Sequence, residues 1–437
     1  MGFDFFNRPV LKESYKQKLG SFVETLGNAI GKGEKISFAD NDITYALTLQ
    51  NKRIQDKGLS MDYTVTDRDL NEGPSILYNR KDVHYDSAVC YEAFKVNRKL
   101  TRNGRKLFAD KTLNELYTTI TDVTTGIHPD NEAYSCPNCG NVSTVAELQN
   151  GCPYCGTMYK MDELFPKITG YFFQEDYELN NEEFKKGEGR LRILGVIIAL
   201  IYGFFLVFND CSYFMEESFL STPGRIREFI FQILFVLVFF SMIGMFAARV
   251  VFFTYYFVRM NIIGFKNISA SGVGNNASWK FEKNMKQYCP EFSYDYFTSK
   301  AISMIKTAIY SDNAQELLFY KGEQLAPSFK DIIDMNYIGG WKLKDFSVDN
   351  GVATIKAQVY FDVLYATNGK VRKKYEKFTA VFRRRVDRPI NLNFSMTKIQ
   401  CPDCGSSFNA VHNKICPYCG QPYDIESQDW VLMELTK

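Results

Sequence analysis

Val352–Tyr365 reads VATIKAQVYFDVLY, and its side chains alternate strictly in character. Ile355, Ala357, Val359, Phe361, Val363 and Tyr365 share one face, and Thr354, Lys356, Gln358 and Asp362 lie opposite. A period of two predicts a strand with one face on a core. Asn368-Gly369 follows, the pair favoured in a two-residue hairpin turn, and KKYEKFTAVFRR at 373–384 predicts the returning strand. Upstream, Phe297, Ala301, Ile305, Ala308 and Ile309 recur at helical spacing, and NAQELLFYKGEQL at 313–325 predicts a second helix. Helices followed by a meander of long strands define an α+β class. The expected layout is helices packed over one face of a curved antiparallel sheet.

The segment around these elements carries PxFSxxxF as Pro290, Phe292, Ser293 and Phe297, with Ser293 placed to cap the long helix. With this motif and the strand pattern, residues 281–397 resemble the domain of the mitochondrial import inner-membrane translocase subunit forty-four. The resemblance implies a cone similar to nuclear transport factor two. It further implies a membrane-associated receptor or tether rather than an enzyme. Cys289 stands where that family usually has an acidic residue. The whole layout also resembles bacterial membrane proteins that combine this domain with zinc ribbons and end their second ribbon with DWVL, here Asp429 to Leu432.

Eight of the eleven cysteines form four CxxC pairs. Cys136, Cys139, Cys152 and Cys155 make one set at 131–165, and Cys401, Cys404, Cys416 and Cys419 make another at 398–425. Two-residue spacing lets both sulfurs of a pair reach one ion, so four thiolates close a tetrahedral site. Gly140, Gly156, Gly405 and Gly420 follow the second cysteine of each pair and permit a tight turn that aims backbone N–H groups at sulfur. Two structural Zn²⁺ ions in two small ribbons are expected, in a reducing compartment. Between its pairs the first set has no Lys or Arg and the second has one, which favours a staple or a protein contact over nucleic acid. His412 is read as a surface side chain because four cysteines already satisfy the metal. Asn103-Gly104 precedes Cys136 by the interval that separates Asn368-Gly369 from Cys401, a hint of a duplicated hairpin-plus-ribbon unit. LFADKTLNELYTTI at 107–120 argues against it, because it reads as a helix.

Ile193–Asn209 and Phe229–Ala248 are charge-free apolar runs long enough to span a bilayer. Lys185, Lys186, Arg190, Arg192, Arg249, Arg259 and Lys266 flank them outside, whereas the connection has only Arg225 and Arg227. The positive-inside rule predicts a two-span hairpin at 191–259 in the cell membrane, both termini cytoplasmic, with Cys211 facing outward. Linkers are expected at 166–190 and 260–280, with Asn267–Ser278 flexible. No cleavable signal and no myristoylation site is read at the start of the chain. Leu11, Tyr15, Leu19, Phe22, Val23, Leu26 and Ile30 predict an amphipathic helix. Its stripe serves as core or, with Phe3, Phe5 and Phe6, as a membrane-surface face. Residues 1–130 form an N-terminal cytoplasmic domain of unassigned fold, a degenerate copy of the cone being one reading, and 426–437 a C-terminal strand.

The net charge of +2 excludes a global field for a polyanion. Locally, Lys370–Arg388 is basic, and Lys370, Arg372, Lys373, Lys374, Arg383, Arg384 and Arg385 are candidate contacts for lipid or a partner. A charged, merely solvated hairpin is the plain alternative. No histidine lies in 129–411, and no catalytic residues are assigned. The function expected is a membrane-anchored zinc-ribbon adaptor or scaffold that binds a protein or nascent chain at the cytoplasmic face. A ribosome- or nucleic-acid-binding tether and a small-ligand cone with an enzymatic role are the alternatives. Partners expected are the bilayer, an unidentified protein, anionic lipid or ribosome, and a second copy of the chain.

Overall fold

The computed structural model describes residues 11–67, 73–123, 133–136, 138–144, 147–148, 152–156, 166–175, 181–210, 223–271, 274–387, 398–401, 403–404, 407–409, 413, 415–422, 425–427 and 429–437. Phe3, Phe5, Phe6, Cys211 and His412 lie outside these residues, so their predicted roles do too. The chain divides into two compact units, Met1–Glu175 with Asn267–Lys437, and Asp176–Lys266.

The first unit begins with helix α1 (Glu13–Lys32), which buries Tyr15, Leu19, Phe22, Leu26 and Ile30 as its spacing predicts. The stripe is core rather than a membrane face. Helix α2 (Asn41–Asp56) starts at Asp40, whose carboxylate accepts from the Ile43 N–H at 2.8 Å. Such a cap contributes about 1 kcal/mol. Strands β1 (Ser60–Asp67), β2 (Ser75–Lys81), β3 (Tyr85–Arg102) and β4 (Arg105–Val123) follow, then the short hairpin β5 (Ala133–Ser135) and β6 (Val142–Thr144), then β7 (Lys167–Glu175). The sheet order is β1-β3-β4-β7, with β2 extending the β1 edge along β3. Helix α1 covers that edge closely: a Cβ on Gly27 would lie 2.9 Å from the Tyr63 carbonyl oxygen, and one on Gly31 3.1 Å from that of Met61. Glycine at both positions lets helix backbone meet strand backbone, which blocks pairing with another chain.

After the second unit the same order recurs. Helices α5 (Gly274–Tyr288) and α6 (Tyr294–Tyr310) precede β8 (Ile332–Asp349), β9 (Val352–Thr367) and β10 (Lys370–Arg385), then a hairpin β11 (Lys398–Gln400) and β12 (Ser407–Asn409), then β13 (Val431–Thr436). The sheet order is β8-β9-β10-β13, and the short hairpin is again inserted before the last strand. Asp40 and Ser293 cap equivalent helices, Ser293 accepting from the Tyr296 N–H. The long hairpins turn at Asn103-Gly104 (φ 50° and 77°) and Asn368-Gly369 (φ 51° and 74°), the two-residue geometry with both φ positive. Topologically, the first unit is one element order used twice.

Four expectations change. LFADKTLNELYTTI is β4, not a helix: Leu116, Thr118 and Ile120 alternate into the interior, because pairing along all of β3 overrides local propensity. NAQELLFYKGEQL is a single 3₁₀ turn, Ala314–Glu316, followed by extended chain. Leu317, Leu318, Phe319 and Tyr320 are consecutively buried, which no amphipathic helix permits. There the Leu432 N–H donates to Phe319 and the Lys321 N–H to Leu432, closing the β13 edge. Residues 167–175, expected in a linker, are β7. The segment at 267–278, expected to be flexible, is helical in its described residues.

Both faces of β9 are used. Ile355, Ala357, Val359, Phe361 and Val363 enter the C-terminal core with Phe281, Phe292, Phe297, Trp341, Phe382 and Trp430, while Leu364 and Ala366 join Ile333 in the N-terminal core. Between the halves α2 packs on α6, β7 lies beside β8, and Tyr85 stacks on Tyr296 with centroids 4.7 Å apart.

The second unit contains helix α3 (Asn181–Asp210) and helix α4 (Pro223–Ser271) as far as Lys266. Glu188–Leu206 and Ile230–Val258 are apolar enough to cross a membrane. Their side chains point outward, with Ile193 63 % and Phe231 70 % exposed. The helices meet through small residues. A Cβ on Gly195 would lie 2.7 Å from the Gly244 oxygen and 2.9 Å from Ala248 Cβ, and one on Gly244 2.9 Å from Ala199 Cβ. Small residues four apart on both partners permit such close packing in lipid.

Candidate metal centres and the polar contacts between the halves

Each short hairpin presents two cysteines and a following knuckle presents two more. The ligand atoms of Cys136, Cys139, Cys152 and Cys155 lie within 4.8 Å of one another, and those of Cys401, Cys404, Cys416 and Cys419 do likewise. Cys136–Cys155, Cys139–Cys152, Cys401–Cys419 and Cys404–Cys416 sulfurs are each 3.7 Å apart. A tetrahedron with metal–sulfur bonds of about 2.3 Å has an edge of about 3.8 Å. A disulfide needs about 2.05 Å, so these are four-thiol clusters shaped for an ion.

The glycines act as expected where they are described. Gly140, Gly156 and Gly420 have φ of 76°, 70° and 75°, and their N–H groups donate to the carbonyls of Cys136, Cys152 and Cys416. The Cys139 N–H points at Cys136 Sγ at 3.5 Å. An Asn141 backbone N–H pulls the Cys139 thiol down, but desolvation and the three neighbouring sulfurs push it to about 11. A cation that replaces those protons relieves the crowding. The first cysteine of every pair is buried and the second exposed, so each cluster is half sunk in its ribbon. Strand β11 lies against β5 and β6, and β12 against β6, bringing the two ribbons together.

The seven basic candidates scatter. Lys370 and Arg372 are exposed, Lys373 pairs with Asp110 at 3.0 Å, and the Lys374 ammonium sits 5.6 Å from the Tyr365 ring. Arg383 binds Glu426 at 2.7 Å and Arg385 binds Asp387 at 2.5 Å. Arg384 is 1 % exposed and reaches Cys289, so it cannot contact lipid or a partner. Sequence made the three arginines look alike, whereas alternation along β10 sends the middle one inward.

Sequence reasoning missed the polar contacts that join the halves. Buried Arg98 donates to Asp334, which also accepts from Gln50 at 2.8 Å, and its other terminal nitrogen donates to Asp110 at 2.9 Å. Burial pushes the Asp110 carboxyl up, but Lys373 and Arg98 bring it below its usual value. Asn336 both donates to and accepts from the Phe173 backbone on β7. Around the β2–β3 turn, Arg80 pairs with Glu282, Lys286 with Asp82, and Tyr78 donates to Asp295. A cavity of about 30 Å³ lies beside Arg98, Asn114, Asn336 and Asp362, which is room for water.

Together the structure defines a twice-used α+β unit with two four-cysteine clusters, in a chain that also carries two membrane-competent helices. No family model, curated protein or solved structure matches it.

Proposed function

We propose that this chain is a membrane-anchored adaptor whose cytoplasmic body is stapled by two Zn²⁺ ions and binds a protein partner or nascent chain. The carrying observation is the pairing of two closed four-cysteine clusters with two apolar helices whose side chains face outward. Closed thiolate sites leave no open coordination position and therefore stabilise rather than catalyse. Thiolates need a reducing side, and the basic flanks of the helices place both halves on that side, so two arguments support a two-span hairpin with cytoplasmic termini. The resemblance of residues 281–397 to the translocase-subunit domain supports the same reading. The cavity at Arg98 has room for water and not for a metabolite.

Cross-linking in native membranes followed by mass spectrometry tests the adaptor role. Recovery of a reproducible protein cross-linked to the C-terminal half supports it, and cross-links confined to the chain itself oppose it. Labelling of Cys139 or Cys404 by an impermeant thiol reagent applied outside intact cells would show the topology to be inverted.

A further inference from the structure

Lys370–Arg388 looked in sequence like one basic hairpin. The structure breaks that stretch up but builds another cationic face from both halves. The two Asn-Gly turns converge on Lys57 at the end of α2. Arg102 donates to the Lys57 carbonyl at 3.1 Å, and Lys57 Nζ donates to the Ala366 carbonyl at 3.3 Å. The Cβ position of Gly369 is 3.7 Å from an Arg102 terminal nitrogen, and Lys373 crosses to Asp110 on β4.

Arg105 and Lys106 from one tip and Lys370 and Arg372 from the other are exposed, and none makes an ion pair among the described residues. Of the nearby acids, Asp110 is engaged by Arg98 and Lys373, Asp331 by Lys57 and Glu376 by the Tyr365 hydroxyl, while Asp62 faces Lys99 across the β1–β3 pair. Four cations without an ion pair on two adjoining turns make a patch of one sign in a chain of net charge +2. Such a face attracts polyanions.

We propose that the paired hairpin tips form one composite site that docks on anionic lipid head groups. This rests on the membrane-anchored reading. RNA binding would need exposed aromatic rings among the cations for base stacking. Leu107, Phe108 and Val371, which lie between them, are instead packed against the N-terminal core, and exposed Tyr375, further along β10, is already stacked on Tyr360. On the membrane-anchored reading the apolar helices tether the body to a bilayer, which makes docking intramolecular and raises its effective concentration. Each repeat of the element order supplies one turn, and neither tip alone has the charge of the pair.

The test uses the full chain reconstituted in phosphatidylcholine vesicles, with or without roughly one-third phosphatidylglycerol. Amine acylation is followed by mass spectrometry at Lys106 and Lys370, with exposed Lys356 as the control. Phosphatidylglycerol should slow acylation several-fold at Lys106 and Lys370, molar salt should restore it, and Lys356 should not respond. Each basic residue near such a surface changes the docking equilibrium about fivefold. Lys106→Glu should therefore weaken the protection of Lys370 several-fold, and Lys370→Glu that of Lys106. Equal rates in both vesicles would overturn the proposal, as would protection that appears only with added RNA. Alkaline extraction of the same vesicles separates the two readings: a retained chain with unprotected lysines refutes docking alone, and a released chain refutes anchoring and docking together.

Discussion

Replacing Asp334 by Asn removes one charge from the contact that joins the halves. Asp334 and Arg98 are both at least nine-tenths buried as residues, and Asp334 serves Arg98 and Gln50 together. Breaking a buried pair costs about 3–5 kcal/mol, because the surviving charge stays buried without compensation. Asp110 still holds the other end of Arg98, which puts the cost near the lower bound, about 3 kcal/mol. In a body of this size that lowers Tm by about 4 °C. Trp341 and Trp430, each 4 % exposed, report unfolding of the purified protein by fluorescence. The double variant Arg98→Met/Asp334→Leu removes both charges and should be more stable than Asp334→Asn. A loss below about 1 kcal/mol, or a double variant worse than the sum of its single changes, would refute the claim that this pair holds the halves together.

Cys139→Ser should reduce bound zinc from two ions to about one per chain by elemental analysis, whereas Cys90→Ser, a buried cysteine outside both clusters, should leave it at two. Gly244→Leu should unlock α3 from α4, because a Cβ there would lie 2.5 Å from the Gly195 oxygen. A lower midpoint of unfolding in dodecyl sulfate checks it, with Gly224→Leu as the neutral control, since nothing lies within 4 Å of that position. Desolvation lowers the Lys306 ammonium to about 8, with Asp334 opposing. Because its folded value lies below the unfolded one of about 10.4, the charged form opposes folding, and that penalty fades as pH rises from 8 to 10. Lys306→Met should therefore raise stability at pH 7 by on the order of 1 kcal/mol, less the lost contact with the Tyr171 ring, and the gain should vanish above pH 10.5. Denaturant midpoints at pH 7 and pH 10.5 decide it.

What could be read in advance was set by neighbours in sequence. Alternation in Val352–Tyr365, the caps, the Asn-Gly turns and the CxxC pairs are local patterns, and each appears where it was expected. Residues 107–120 failed because their polar and apolar order suits either period, and only the facing β3 decides. The C-terminal half announces itself with β-branched and aromatic residues. The N-terminal half buries Asn114, Thr118 and Thr121 in the matching strand, which hides the repeat from composition. The Arg98–Asp334 and Gln50–Asp334 contacts join residues 236 and 284 positions apart, beyond any local pattern. The basic stretch shows both limits. Its charge was visible, but which arginine turned inward, and which other turn stood beside it, depended on the fold.

The helices α3 and α4 enter the chain at the junction between the repeats, after β7 of one and before α5 of the other. Mechanical tension transmitted along them would not pull on one end of the body. It would arrive at two places, one in each repeat. Those two places are clamped to the opposite repeat, β7 by the paired hydrogen bonds of Asn336 and α5 by Arg80 and Asp82 through Glu282 and Lys286. Load arriving through these helices would thus be carried across the seam between the repeats, and the polar contacts in that seam make it the body's tensile joint.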